Sequence, residues 1–190
     1  MAELTTPVKS IIQHTRVMAP PHMMNSDIDD NLLILLQQKV EGKCNRYGFV
    51  EKVHSIKEYT EDIMAPENLS GSAPYLISYH CNIMIPMENT TIIGMVKALN
   101  PELAIVVNGP IIVFIPKSNI DTNIWDISSD FTDRKNKTLL KQNDYVKIHL
   151  DKVKINQGDV QIKCIGKLLN RASDDEVKEL FGLKKESNFL

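Results

Sequence analysis

The most regular pattern in the chain is a helical repeat of apolar residues near its N-terminal end. The repeating positions, three or four residues apart, are Ile28, Leu32, Leu35, Leu36 and Val40, and Leu33 and Ile34 widen the stripe. Ser26 is a suitable N-cap for this helix, and Gly42 is a typical C-terminal stop. The pattern predicts a helix over residues 27–41, with its apolar face on a sheet or on another helix.

Alternating apolar and polar positions on both sides of this helix predict three strands, at residues 10–18, 47–56 and 74–85. Pro20 and Pro21 end the first strand because proline cannot donate to a ladder. Residues 57–71 carry charges, Pro66 and Gly71, and predict a loop or an extended hairpin. The N-terminal part therefore combines one helix with a small sheet.

The second half of the chain is a series of short apolar strands, predicted at residues 90–99, 104–107, 111–115, 144–150 and 159–168. Turn residues such as Asn108-Gly109-Pro110 separate these strands. About five short strands with turn signals are typical of a small barrel such as the OB-fold. Residues 121–141 would be the long connection between the third and fourth barrel strands.

The C-terminal end carries a capping box, because Glu176 follows Ser173 by three residues. Val177, Leu180 and Phe181 give the predicted short helix one apolar face, and Gly182 is expected to end it. The chain therefore divides into residues 1–85, residues 86–170 and a tail of residues 171–190. The fold class expected is α+β.

Composition and charge exclude several kinds of protein. The net charge is −2, which argues against strong nonspecific attraction to nucleic acid. The three cysteines lie far apart, which argues against a disulfide framework or a cysteine zinc site and favours an intracellular location. No apolar run approaches the ~20 residues that span a bilayer, so no membrane partner is expected. No nucleophile, phosphate-loop or metal-ligand motif is present, which predicts a noncatalytic protein without cofactor or metal.

The barrel interpretation suggests a binding module. Such barrels bind single strands through a positive groove and aromatic side chains on which bases stack. The candidate cations are Lys97, Lys117, Lys147, Lys152, Lys154 and Lys163, and the candidate aromatic residues are Phe114 and Tyr145. The same residues also fit a solvated lysine edge and core aromatic residues, so the pattern leaves both interpretations open.

The order of these elements resembles the stalk subunits of multisubunit RNA polymerases, the archaeal E-prime subunit and the seventh-largest subunit of RNA polymerase II. The matching motifs, in chain order, are Pro20-Pro21, Glu41-Gly42-Lys43-Cys44, Tyr47-Gly48-Phe49-Val50, Ile63-Met64-Ala65-Pro66, Gly71, Gly109-Pro110, Tyr145-Val146-Lys147-Ile148 and Cys164-Ile165-Gly166. The similarity covers about residues 8–168. Residues 86–90 depart from it, because they lack the lysine and glycine that this family carries where the barrel begins.

The resemblance implies a truncated RNP-like domain followed by an OB-fold barrel. It implies a noncatalytic stalk subunit that docks near the polymerase clamp, beside the RNA exit path, in the nucleus or in a viral cytoplasmic factory or virion. The partners implied are the large polymerase subunits, a smaller helical stalk subunit and nascent RNA.

By the same resemblance, one docking tip is expected to comprise Gly42, Lys43, Cys44, Ile63, Met64, Pro66 and Gly71. RNA contact is expected at Lys97, Phe114, Lys117, Lys147, Lys152 and Lys154. The alternative function is a free-standing OB-fold factor that binds single-stranded RNA.

Overall fold

A computed structural model describes residues 4–64, 70–100, 102–126, 131–134 and 137–186, and these contain two α-helices, two short 3-10 helices and ten strands. These residues form two units. One comprises Val8–Ile85 and Asn156–Val160, and the other comprises the remaining described residues. The α+β class predicted from the sequence is confirmed. No helix in the described ranges is long and apolar enough to span a membrane.

The first unit is an antiparallel sheet with one helix on it. Its elements are β1 (Val8–Ala19), α1 (Ile28–Val40), β2 (Phe49–Glu61) and β3 (Ala73–Met84). The strand order is β1-β3-β2, so β3 pairs along both of its edges. Leu32 and Leu36 of α1 are fully buried against the sheet, as the helical spacing predicts. Ile34 was expected to widen this apolar face but is 43% exposed.

The start of α1 differs from the prediction. Asp27 is the N-cap and makes no side-chain capping bond, while the Ser26 hydroxyl donates to the Asp27 carboxylate at 3.2 Å. The Asn25 Oδ1 instead accepts hydrogen bonds from the Asp27 backbone N–H and from Asn31 Nδ2, both at 3.0 Å. A side chain that bonds the backbone two residues later forms a turn of its own, and this turn takes the place of the expected cap.

The predicted stop of α1 is confirmed. Glu41 caps the helix, and Gly42 follows with a φ of +69°. A left-handed residue directly after the cap is a common helix end, and glycine adopts this conformation without steric cost.

Strand β2 continues beyond the predicted residue 56 to Glu61 and pairs with β3 there, so of the two alternatives predicted for residues 57–71 the extended hairpin is the one found. Its pairing with β3 contains three register shifts, which break the simple alternation on which the prediction relied. Tyr59 anchors the extension, because its ring meets that of Tyr75 edge-on at 5.9 Å and its hydroxyl donates to Asp29 at 2.6 Å. The bulges therefore hide the end of β2 from the sequence pattern, and contacts with other elements stabilise this end.

The second unit contains a closed five-stranded barrel, which the sequence predicted. Its strands are β4 (Thr91–Asn100), β5 (Leu103–Asn108), β6 (Ile111–Pro116), β9 (Tyr145–Lys154) and β10 (Ile162–Arg171), in the closed order β10-β6-β5-β4-β9. Neighbouring strands are antiparallel except β6 and β10, which run parallel. The inward residues are fully buried and include Val96, Val106, Val113, Ile115, Ile148 and Leu150.

The long connection between β6 and β9 contains a two-stranded ribbon of β7 (Trp125–Asp126) and β8 (Thr132–Asp133). Trp125 is 1% exposed, and its indole Nε1 donates to the Leu169 carbonyl oxygen at 2.7 Å. Burying this ring ties the connection to β10.

The tail helix α2 (Asp174–Glu186) begins at the predicted capping box. The Ser173 backbone N–H donates to the Glu176 carboxylate at 3.0 Å, and the Glu176 N–H donates to the Ser173 hydroxyl at 3.4 Å. The expectation that Gly182 ends this helix is wrong, because α2 runs on to Glu186. One glycine inside a helix costs only about 1 kcal/mol, and the lysines and glutamate that follow are good helix formers.

Gly166 of β10 packs so closely against β9 that there is no room for a side chain. A Cβ added there would lie 2.5 Å from the His149 carbonyl oxygen and 2.9 Å from Ile148 Cγ2. We expect Gly166→Ala to lower the free energy of unfolding of the barrel by about 1–3 kcal/mol, the usual cost of overpacking. Urea denaturation followed by the fluorescence of Trp125, the sole tryptophan, measures this change.

Asn170→Ala is the matched control, since Asn170 is an exposed residue of the same strand. It should change the free energy of unfolding by less than about 0.5 kcal/mol. Equal denaturation midpoints for the two variants would contradict the close packing assigned to Gly166.

Candidate docking and RNA-contact surfaces

The chain that leaves β2 exposes two apolar side chains. Ile63 is 84% exposed and Met64 is 43% exposed. The backbone beneath them is fixed, because Arg16 Nε pairs with the Asp62 carboxylate at 2.9 Å and Arg16 Nη2 donates to the Ile63 carbonyl oxygen at 3.2 Å. Ile63 and Met64 are therefore exposed to solvent next to a backbone that Arg16 and Asp62 hold by these contacts. Their exposure gains no hydrophobic stabilisation.

Two further exposed apolar residues, which the sequence analysis did not single out, lie near the same ion pair. Met18 is 45% exposed and Leu76 is 48% exposed. Leu76 pairs with Arg16 across the sheet, and Met18 follows Arg16 by two residues, so all three share the face opposite α1. We call Met18, Ile63, Met64 and Leu76 the hairpin patch. The sequence contained one signal for this exposure: Met18 and Leu76 are apolar residues at positions where the alternation of their strands is otherwise polar.

Gly71, another residue predicted for the docking tip, lies two residues before β3. Gly71 has a φ of +67°, a left-handed conformation that favours glycine, and a Cβ there would make a close contact of 3.3 Å with Pro21 Cγ. Pro66 lies outside the described residues.

Gly42, Lys43 and Cys44 lie at the opposite end of the sheet from the hairpin patch. The Gly42 N–H donates to the Val50 carbonyl oxygen, near the start of β2, whereas Ile63 follows the end of that strand. A strand of this length spans roughly 40 Å at the usual rise per residue. The structure therefore does not bring the two predicted docking segments together, and docking by either segment stays a prediction.

Cys44 is inside the protein rather than on its surface. Its side chain is 3% exposed, its N–H donates to the Asp159 carbonyl oxygen at 2.7 Å, and its own carbonyl oxygen accepts from Gly158 at 2.8 Å. Burial, together with the nearby charge of Asp159, raises the pKa of the Cys44 thiol. We expect Cys44 to hold its turn in place; a docking role for these three residues stays a prediction.

Burial also keeps the other two thiols protonated. It raises the pKa of Cys81 to about 11 and that of Cys164 to about 12. A thiol with such a pKa carries almost no nucleophilic thiolate at neutral pH. Among the described residues, no three His, Cys, Asp or Glu side chains are grouped so that they could hold a metal ion.

Three exposed lysines form one group on the outer surface of the barrel. Lys152 and Lys154 alternate along β9, and Lys163 of β10 is directly opposite Lys154. We call Lys152, Lys154 and Lys163 the lysine row. Lys152 faces Ile165, which in turn faces the half-buried Phe114 of β6. The barrel thus brings together three predicted RNA-contact residues, Phe114, Lys152 and Lys154.

The remaining predicted RNA contacts are not in the lysine row. Lys147 pairs with the Glu176 carboxylate of α2, and Lys117 pairs with Glu102 at 3.3 Å. Lys97 is exposed at the register shift between β4 and β5. A lysine whose charge is already neutralised contributes less to phosphate binding, so Lys147 is the weakest of these candidates.

The sequence of the chain is similar to that of one protein of Acanthamoeba polyphaga mimivirus. The two are 35% identical over 159 residues, which cover 83% of this chain and 80% of that protein. The mimivirus protein carries the provisional name of a DNA-directed RNA polymerase subunit. The chain belongs to this family of DNA-directed RNA polymerase subunits. No protein-family model matches the chain.

Membership of this polymerase-subunit family confirms the predicted resemblance at the level of a subunit of DNA-directed RNA polymerase. The aligned length exceeds either unit alone, so the similarity extends over both the sheet-and-helix unit and the barrel. The surfaces described above are therefore surfaces of a polymerase subunit.

In this polymerase subunit, the contact between Glu176 and Lys147 should make the docking of α2 dependent on pH. The hydrogen bond from Lys147, assisted by the Ser173 N–H, lowers the pKa of Glu176 to about 2. Because the folded pKa is depressed, the stabilisation is complete above about pH 4.5 and is lost as the pH falls toward 2. An NMR titration of the Glu176 carboxyl carbon measures this pKa.

Lys147→Met keeps most of the side chain and removes the charge. We expect the pKa of Glu176 to rise toward the ordinary glutamate value of about 4.3 in this variant. An unchanged titration of Glu176 in Lys147→Met would contradict the assigned contact.

Proposed function

We propose that this protein is a noncatalytic stalk subunit of a multisubunit DNA-directed RNA polymerase. In this proposal it docks near the clamp and lies beside the RNA exit path. The observation that carries it is the order of the two units on a chain related to a polymerase subunit: a three-stranded sheet with one helix, then a closed five-stranded barrel. The proposed partners are the large polymerase subunits and a smaller helical stalk subunit.

The fold assignments behind this proposal are a truncated RNP-like domain and an OB-fold. The barrel supports the OB-fold assignment. Its first three strands form a meander, and its third strand, β6, pairs in parallel with its fifth strand, β10. A five-stranded Greek-key barrel is the arrangement expected of an OB-fold. The packing of one helix on a three-stranded sheet supports the assignment of a truncated RNP-like domain.

The hairpin patch is the proposed docking surface for a large polymerase subunit. Exposed apolar side chains that lie together on a soluble protein commonly mark an interaction site. Ile63 is the natural anchor, because it is 84% exposed on a backbone that Arg16 and Asp62 pin in place. Fully desolvating such a side chain in a partner pocket contributes about 1.5–3 kcal/mol.

A noncatalytic role agrees with the chemistry of the buried groups. The thiols of Cys81 and Cys164 stay protonated at neutral pH.

The second candidate function is a free-standing factor that binds single-stranded RNA. The lysine row favours it, since three exposed cations lie beside Ile165 and Phe114 on one surface of the barrel. In the stalk proposal the same surface contacts nascent RNA. The two functions therefore differ in whether the protein forms a stable assembly with polymerase.

Replacing the anchor tests the docking proposal. We expect Ile63→Asp with Met64→Asp to reduce co-purification with the polymerase of the native source at least tenfold, because two charges would enter an apolar contact. Ile34→Asp is the matched control, since Ile34 is 43% exposed on α1 and lies outside the hairpin patch.

Two results would refute this proposal. Wild-type protein that elutes only as a free 21.5 kDa chain would favour the RNA-binding factor. Double-variant protein that co-purifies as well as Ile34→Asp would exclude the hairpin patch as the docking surface.

Removing charge from the lysine row tests RNA contact. We expect Lys152→Gln with Lys154→Gln to weaken binding of a ten-nucleotide oligouridine several-fold and to reduce the salt slope by up to about 1.4, which is ~0.7 for each lost phosphate contact. Fluorescence anisotropy across a series of salt concentrations measures both quantities.

Lys57→Gln is the control for this experiment, because Lys57 is an exposed lysine of β2 outside the barrel. RNA binding that responds equally to the control and to the double variant would mean that the lysine row is not the contact.

A further inference from the structure

A cleft opens within the sheet-and-helix unit where α1 ends. It has a volume of about 330 Å³ and is lined by residues from β1, from the end of α1 and the turn after it, and from the segment Asn156–Val160 of the same unit. The lining includes Lys39, Lys43 and Arg46 but no aspartate or glutamate. We call it the turn cleft. Its charge is positive although the whole chain carries −2.

The three cations of the turn cleft carry positive charge that no described carboxylate neutralises. Across the described ranges, no carboxylate lies within ion-pair distance of Lys39, Lys43 or Arg46. Lys39 donates to the Arg16 carbonyl oxygen, and Lys43 donates to the Gln38 carbonyl oxygen at 3.2 Å. A carbonyl oxygen satisfies a donor without neutralising the positive charge, so that charge remains available.

The guanidinium of Arg46 is held over an aromatic ring. Its carbon lies 4.5 Å from the centre of the Tyr47 ring, and Tyr47 is 51% exposed. A stacked guanidinium loses less freedom when it pairs with a planar anion, because its plane is already oriented.

Gln13, another residue of the turn cleft, has a donor without an acceptor. Gln13 lines the turn cleft, its side chain is only 5% exposed, and its Nε2 makes no hydrogen bond. A buried amide donor without a partner costs about 1–3 kcal/mol. Such a cost in a folded protein calls for an explanation.

The orientation of the Gln13 amide is fixed by its neighbours. Asn45 Oδ1 accepts from the backbone N–H groups of Tyr47 at 2.8 Å and Gly48 at 3.1 Å, so Asn45 must present its Nδ2 to Gln13. Gln13 Oε1 accepts from that Nδ2 at 2.7 Å and from the Tyr79 hydroxyl at 3.1 Å. Flipping the Gln13 amide would set two donors against each other, so Nε2 remains the unpaired atom.

We propose that the turn cleft binds a carboxylate of an acidic polypeptide segment, with Arg46 and Lys43 pairing with its charge and the amide of Gln13 donating to it. The class of partner rests on the proposed function, since a polymerase subunit meets other polypeptides at its docking segments. The carboxylate supplies the acceptor that Gln13 lacks and the negative charge that the three cations lack.

A carboxylate fits this position better than a phosphate. The cleft includes Val40, the last residue of α1, so it lies at the C-terminal end of the helix, which carries partial negative charge. This end repels a phosphate group carrying up to two charges more strongly than it repels a single carboxylate. Phosphate sites on helices use the opposite end.

The test uses full-length protein and a hexaglutamate peptide, with hexaglutamine as the uncharged control. We expect hexaglutamate to shift the side-chain amide signal of Gln13 and the backbone signals of Asn45 and Arg46 in ¹⁵N NMR spectra. Arg46→Gln should weaken this binding about tenfold, which is typical of losing one charge-assisted hydrogen bond. Lys57→Gln, an exposed lysine on the same unit but outside the cleft, should change it less than twofold.

Several outcomes would overturn the proposal. Hexaglutamate could leave Gln13 unperturbed, or bind Arg46→Gln as well as wild type. Inorganic phosphate or oligouridine could perturb the same residues at lower concentration, which would assign the cleft to a phosphate ligand instead. Co-purification with polymerase stays a separate readout, because Ile63 and Met64 lie outside the turn cleft. Loss of peptide binding alone leaves the proposed function intact, and loss of co-purification alone leaves the anion site intact.

Discussion

A single helix can cover only one face of a sheet, and this constraint shapes the N-terminal unit. Strand β3 forms hydrogen bonds with β1 along one edge and with β2 along the other. Leu32 and Leu36 of α1 pack on one face of the resulting sheet. Within that unit no second layer of described residues covers the other face, which exposes Ile12, Met18 and Leu76 by more than 40% each. The asymmetry between the two faces follows from having one helix on three strands.

The length of β2 then separates two kinds of surface. At one end, the hairpin patch is apolar and rests on the ion pair of Arg16 with Asp62. At the other end, the turn cleft is cationic and contains an unpaired amide donor. Apolar contacts supply affinity, whereas charged contacts chiefly supply specificity and orientation. In our proposal a polymerase subunit uses the first surface to dock and the second to recognise an acidic segment.

The sequence predicted what depends on local periodicity. The spacing of the apolar residues of α1, the alternation in β3 and the turn residues of the barrel identified these elements, and Ser173 and Glu176 identified the start of α2. It failed where neighbours outside the local segment decide the outcome. The bulges of β2, the turn at Asn25 that replaces the expected Ser26 cap, and the passage of α2 through Gly182 are three such cases.

The residues of the candidate sites also differ in whether local sequence or distant neighbours determine their surroundings. Ile63 and Met64 could be proposed from sequence, because an apolar pair in a charged loop has few neighbours to bury it. Met18 and Leu76 are apolar residues at otherwise polar positions of their strands, but their exposure follows only from which face of the sheet α1 covers. The network of Gln13, Asn45 and Tyr79 joins residues up to 66 positions apart and needs strand register to be visible.

We propose that this subunit joins the polymerase through the hairpin end of its sheet. Site-specific photocrosslinking tests it most directly, with a benzophenone amino acid in place of Ile63 and, separately, in place of Ile34 on α1. We expect a covalent adduct with a large polymerase subunit from position 63 and little from position 34. Adducts from position 34 alone, or from neither position in polymerase that contains the subunit, would contradict it.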